Sequence, residues 1–168
     1  NAKRVYRTEI LLNNSRQLRR SFSRQEVGEE LASQIQKLLM LTVLFYTKVD
    51  GICQDPYIFF RKDLDSDIYE ELKEKYTDIR EQSVVSWVFE NGHRAGCTTH
   101  TLPEAIYLPV MDGEKVLAVV GMVLEERREI GSFKYDIISA ILNEAAFVLE
   151  RIERIETAKR DESKEVNS

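Results

Sequence analysis

Two cysteines in 168 residues are too few for the disulfide framework of a small secreted domain, and one pair in a chain of this size suits a reducing compartment. No apolar run nears the roughly 20 residues that span a bilayer. The longest, Val116 to Leu124, has nine and reads as a strand. Basic residues are dispersed among a larger number of acidic ones at a net charge of -5, so no broad cationic face exists to release counterions, which excludes nucleic acid as a partner. The short basic run Arg16 to Arg20, with Arg24, sits at a helix end, where cations complement the macrodipole, and reads as a solvated face. No Gly-rich phosphate loop and no internal repeat occur. What is present, 43% hydrophobic and 32% charged residues, fits one globular domain with long solvated helices. Asn1-Ala2 reads as a tag scar, residues 3–158 as the domain, and residues 159–168 as a polar tail expected to fray.

Val5, Thr8, Leu11, Leu12, Ser15 and Leu18 recur at helical spacing and predict an amphipathic helix over residues 3–20. Ser23 and Glu26 form a capping box, with Phe22 and Val27 as its hydrophobic staple, so a second helix starts here and runs to about Leu39 on a stripe of Val27, Leu31, Ile35 and Leu38. Branched and aromatic residues from Leu41 to Thr47 predict a buried strand, Asp50-Gly51 a turn, and Tyr57 to Phe60 a second strand. A helix is expected over Asp63 to Lys75. Another is expected from Asp78, with Glu81 at the capping-box position, to Asn91-Gly92, where glycine takes the left-handed conformation that stops helices. A polar loop from His93 to Thr101 leads to a hairpin, Ala105 to Met111 and Lys115 to Leu124, turned at Asp112-Gly113. Its second strand is apolar almost throughout, as in a central strand covered on both faces. This order predicts an α+β fold, an antiparallel sheet with helices packed against it.

The last helix, residues 133–158, fits a heptad with Ile138, Ala145 and Ile152 at one core position and Ile141, Val148 and Ile155 at the other. That stripe either docks on the sheet or continues as a seam between two parallel copies. The seam is the expectation, because the alternation persists to Ile155.

The segment from Trp87 to Val110, Trp-Val-Phe-Glu-Asn-Gly-His-Arg-Ala-Gly-Cys-Thr-Thr-His-Thr-Leu-Pro-Glu-Ala-Ile-Tyr-Leu-Pro-Val, resembles the best-marked stretch of GAF domains in KdpD-type sensor histidine kinases. That stretch is a tryptophan-containing helix ending in Asn-Gly, then Ala-Gly, Thr-Asp-Thr-Leu-Pro and Tyr-Leu-Pro-Leu. The runs Tyr6 to Arg16 and Ala146 to Arg151 add to the likeness. His100 stands where the family has aspartate, and Cys97 where it often has a small or aliphatic residue. The resemblance implies a GAF-like sheet with adjacent N- and C-terminal helices. It further implies a cytoplasmic regulatory module of an inner-membrane or plasma-membrane protein, set between a transmembrane bundle and a dimerising kinase core and relaying potassium- or osmosis-related input. A homodimer through the terminal helices is expected from the heptad.

No catalysis is expected within the chain, since the phosphoacceptor histidine motif and the asparagine and glycine boxes of kinases are missing; no cofactor is implied. His93, Cys97 and His100, with Cys53 as a fourth ligand, offer imidazole and thiolate to a metal, but their spacing matches no standard zinc pattern, and polar loop residues with a small packed cysteine are the plainer reading. A redox enzyme acting on free methionine sulfoxide, as in certain GAF proteins, requires a thiolate near Arg94 or His93 and a resolving Cys53. A small ligand or ion between sheet and loop would be lined by Trp87, Asn91, Arg94, Thr98, Thr99 and Thr101; the alternatives are core packing for Trp87 and turn chemistry for the threonines. A passive dimerisation spacer is the remaining alternative.

Overall fold

The computed structural model describes residues 16–96, 105–124 and 129–167. Of the helix expected over 3–20, residues 16–19 are helical and Leu18 is fully buried, while the rest lies outside the described residues. Ser23 begins α1 (Arg24–Leu38) as its side chain predicts, its Oγ accepting the Glu26 N–H at 3.1 Å. Glu26 reaches back one residue past the N-cap, accepting the Phe22 N–H at 3.4 Å. The staple is not made. Val27 is buried, but Phe22 is 77% exposed, its ring facing the Arg151 guanidinium at 5.9 Å instead of the first turn of its own helix.

The strands follow the period-two pattern. β1 (Val43–Val49) turns at Asp50 and Gly51, both at positive φ (52° and 78°), into β2 (Ile52–Cys53), a two-residue strand the sequence pattern did not mark. Left-handed geometry at both central residues matches the twist of a tight hairpin. β3 (Tyr57–Phe59) pairs with the other end of β1. Asp65 caps a 3₁₀ turn at Ser66–Ile68, which leads into α2 (Tyr69–Tyr76), so the helix expected from Asp63 starts later and tighter. α3 (Ile79–Asn91) stops where Gly92, at φ 67°, donates its N–H to the Val88 carbonyl at 2.9 Å. β4 (Ala95–Gly96) lies within the stretch expected to be loop and pairs with β5 (Ala105–Asp112). β6 (Lys115–Val123) completes the hairpin, and α4 (Ser132–Val166) ends the chain's regular structure.

All pairings are antiparallel, in the order β2-β1-β6-β5-β4 with β3 beside β1. The central place of β6 accounts for its apolar run. Pleating sends Val43, Phe45, Leu108, Val110, Ala118, Val120 and Met122 toward α1 and α4, and Leu44, Tyr46, Tyr107 and Val119 toward α2 and α3. The result is three layers, with α1 and α4 adjacent on one face. α1 approaches the sheet closely, since a Cβ at Gly28 would lie 2.6 Å from the Phe45 ring.

Two expectations about α4 need correction. Ile138, Ile141, Ala145, Val148 and Ile152 are at most 4% exposed within the single chain, because they fill the core between α1 and the sheet. They are not free to form a seam with a second copy; of the six, only Ile155, at 45%, remains open. The helix, expected to end near residue 158, continues through Val166.

Candidate functional site

A polar network lies inside the second layer, where α3 covers the sheet. Helical period turns Glu81, Val85, Val88 and Phe89 inward, and pleating brings Tyr46 and Tyr107 to meet them. Glu81 does not serve the capping box expected of it, since Asp78 caps α3 alone by accepting the Arg80 N–H at 3.0 Å. Instead Glu81 is buried and accepts a hydrogen bond from the Tyr107 hydroxyl. The Tyr46 ring meets Tyr107 edge-on at 6.0 Å, and its hydroxyl donates to the Tyr76 carbonyl at 3.2 Å. Gly121, opposite both Tyr107 and Leu44 in the sheet, makes the room: a Cβ there would lie 2.7 Å from the Tyr107 ring.

A buried carboxylate is costly and is kept where it anchors or senses something, so this cluster is the best-defined polar site among the described residues. Burial pushes the Tyr107 hydroxyl far above its ordinary range, with the neighbouring Tyr46 and the bond to Glu81 adding to it. Burial likewise raises Tyr46, partly offset by the neighbouring Tyr107 hydroxyl. Both phenols therefore stay protonated donors when folded. The signal for this site was present in the sequence, since Glu81, Val85 and Val88 share one helical stripe and Tyr107 alternates inward with Ala105.

The raised phenols carry a pH prediction. A folded-state pKa above the unfolded value gives stability that is whole below about pH 10 and is lost as pH rises beyond it, at about 1.4 kcal/mol per pH unit for each group. Urea unfolding between about pH 10 and 12 is expected to show a slope component from two such protons, and Tyr46→Phe should remove one of them. An equal slope in the variant contradicts the assignment.

Of the residues expected to line a ligand site, Trp87, Asn91 and Arg94 are among the described ones, and these three do not converge. Trp87 is 46% exposed on the outer face of α3, outside the core, and borders an open depression with Ile79, Ser83 and Glu90. Asn91 spends its amide on the Trp87 carbonyl at 2.9 Å, closing the helix end. Arg94 points the other way, its guanidinium 5.3 Å from the Tyr135 ring on α4. Thr98, Thr99 and Thr101 lie outside the described residues, as do Cys97 and His100. The last described residues before them lie beside the buried network, since Ala95 pairs with Tyr107 itself.

His93 is exposed, and among the described residues no group of histidine, cysteine and carboxylate side chains is placed to hold a metal. Cys53 is exposed on β2, and partial burial raises its thiol despite the nearby Lys48, which lowers its thiolate fraction and its fitness as a redox nucleophile. None of the described helices is long and apolar enough to cross a membrane.

The second candidate region is the terminal helix pair. Arg24 pairs with Glu156 at 2.5 Å, and Arg151 donates to the carbonyls of Arg19 at 3.2 Å and Ser21 at 2.5 Å, fastening the start of α1 to the second half of α4.

No family model and no curated protein sequence matches the chain. Solved structures do. The chain is similar to the GAF domain of the potassium sensor histidine kinase KdpD from Escherichia coli at 19% identity and a TM-score of 0.66, covering 90% of this chain and 98% of that one. It is similar to the GAF domain of an Acinetobacter phosphoenolpyruvate-protein phosphotransferase at 12% identity, TM-score 0.63, over 88% and 95% of the two chains. The GAF domain of a two-component sensor histidine kinase from Bacillus halodurans matches at 11% identity, TM-score 0.59, over 81% and 99%. The chain has the GAF fold.

Proposed function

We propose that this chain is a regulatory, non-catalytic domain of a membrane-bound sensor histidine kinase of the KdpD type, passing potassium- or osmosis-related input to a kinase core as a homodimer. The observation that carries the reading is α4. Its first part is packed into the core through Ile152, and its remainder, to Val166, continues as a largely exposed helix that passes the start of α1 at Glu156. A 35-residue helix is roughly 50 Å long, enough to carry a shift of the sheet layer well beyond it. The neighbours from two histidine kinases and the Trp87 to Val110 likeness support the kinase context.

A helix that transmits by rotation is sensitive to phase. With this chain joined through α4 to a histidine kinase core, an added two residues turn the downstream helix by about 200°, whereas an added seven restore it to within about 20°. Autophosphorylation should change by about fivefold or more in the first case and return to the parent rate in the second. A rate indifferent to phase would show a passive spacer.

A further inference from the structure

Along the inner face of α4 the apolar stripe ends at Ile152 and an ionic one takes over. Glu153, Glu156 and Arg160 follow at i, i+3 and i+7, which places them on one side of the helix, continuous with the buried Leu149 and Ile152. Each meets a charge of opposite sign from a different part of the domain. Glu153 pairs with Lys115 at 2.8 Å, on the first residue of β6 beside the β5–β6 turn. Glu156 pairs with Arg24 at 2.5 Å, on the first residue of α1. Arg160 pairs with Asp50 at 3.2 Å, at the tip of the β1–β2 hairpin and in the left-handed conformation that tip requires. Two hairpin tips and one helix start thus converge on two turns of the outgoing helix.

Apolar packing does not hold this stretch, because Ile155 is the one large apolar side chain between residues 153 and 160 and it is 45% exposed. The pairs differ in cover. Arg24–Glu156 is the most sheltered, with side chains 20% and 39% exposed, whereas Arg160–Asp50 is open at 59% and 69%. Pairs this exposed are individually weak and are screened by salt, and the outermost goes first. All three share one helical face, so loss of one leaves the helix free to swing about the next.

We propose that residues 153–160 of α4 form an ionic latch, docked on the two hairpin tips and α1 by Glu153, Glu156 and Arg160, which opens from its distal end as these pairs are screened and so changes the heading of the helix leaving the domain. The latch deepens the relay reading and rests on it only for its consequence, not for its existence. Its chemical input is ionic strength itself, and any anion or cation that competes for Arg160 or Asp50 acts on the same bonds.

The test uses the full chain with Cys97→Ser, spin-labelled at the native Cys53 on β2 and at Glu162→Cys, with the interspin distance measured by pulsed dipolar spectroscopy. At about 0.01 M salt, where the Debye length is roughly 30 Å, one narrow short-distance population is expected; toward about 1 M, where it is roughly 3 Å, a broader and longer population should grow at its expense. Sucrose at matched osmolality should leave the low-salt distribution in place. Arg160→Asp should give the long population already at low salt, and the swap Asp50→Arg with Arg160→Asp should restore the short one. An unchanged narrow distribution across the salt range, an unaffected single variant, or a double variant that fails to recover overturns the latch. Should the distance respond while the helix insertions leave phosphorylation indifferent, the relay falls and the latch stands; should the distance not respond, the latch falls whatever the kinase does.

Discussion

Tyr107→Phe is expected to lower the unfolding free energy by about 2 to 3 kcal/mol, although it removes a single oxygen. The loss comes from what remains. Glu81 is fixed on α3 with its side chain in the core, and the variant takes away the hydroxyl that donates to its carboxylate there. A carboxylate deprived of a buried donor loses more than the bond was worth in exchange with water, because its desolvation is not recovered. Glu81→Leu should be destabilising for the mirror reason, leaving the Tyr107 hydroxyl without that acceptor. The double variant Tyr107→Phe with Glu81→Leu is therefore expected to be more stable than the sum of the single losses, with a coupling of about 1 to 3 kcal/mol. Urea denaturation of the four proteins at neutral pH measures this, and strict additivity would show that the two groups do not act as a pair.

Ile141→Ala is expected to cost about 3 to 4 kcal/mol, the range for removing a large aliphatic side chain from a full core, with no change in the mass of the particle. Ile141 is fully buried between the sheet and α1 inside one chain, so its loss opens a cavity and leaves any contact between copies intact. The proposed dimer is tested elsewhere on the same helices, at Phe147 and Ile155, which are 68% and 45% exposed. Phe147→Glu with Ile155→Glu should halve the sedimenting mass while stability per chain is kept. If Ile141→Ala instead dissociates the protein at unchanged stability, the helix is packed on a partner and not on its own sheet.

The layered fold was legible from patterns that are local. Ser23 with Glu26, Asp78, Asn91-Gly92 and Asp112-Gly113 mark boundaries by their own hydrogen bonding or backbone preference, and each falls within a residue or two of an element end. Short elements escaped for a complementary reason. β2 and β4 are two residues each, too brief to show any period, and exist because a neighbouring strand supplies their partners. The heptad in α4 misled because a helix docking on a sheet and a helix docking on its twin both want an apolar stripe; the sequence period names the face but not the occupant. Phe22 and Trp87 misled in the opposite way, as large aromatics whose surroundings leave them exposed. The site was overlooked behind a sound local rule: Glu81 three residues after Asp78 satisfies the capping pattern, although the helical stripe it shares with Val85 and Val88 already turns it inward, toward Tyr107.

Arg24 and Glu156 are 132 positions apart along the chain and touch. Nearly everything between them, the whole sheet and the second helical layer, is thus a closed excursion that returns to its starting point. A unit with that property can be duplicated, exchanged or deleted during evolution with little change in the spacing of whatever flanks it. The same geometry recommends Arg24 and Glu156 as splice points for grafting the domain into an unrelated antiparallel helical hairpin, whose two strands of chain already lie side by side.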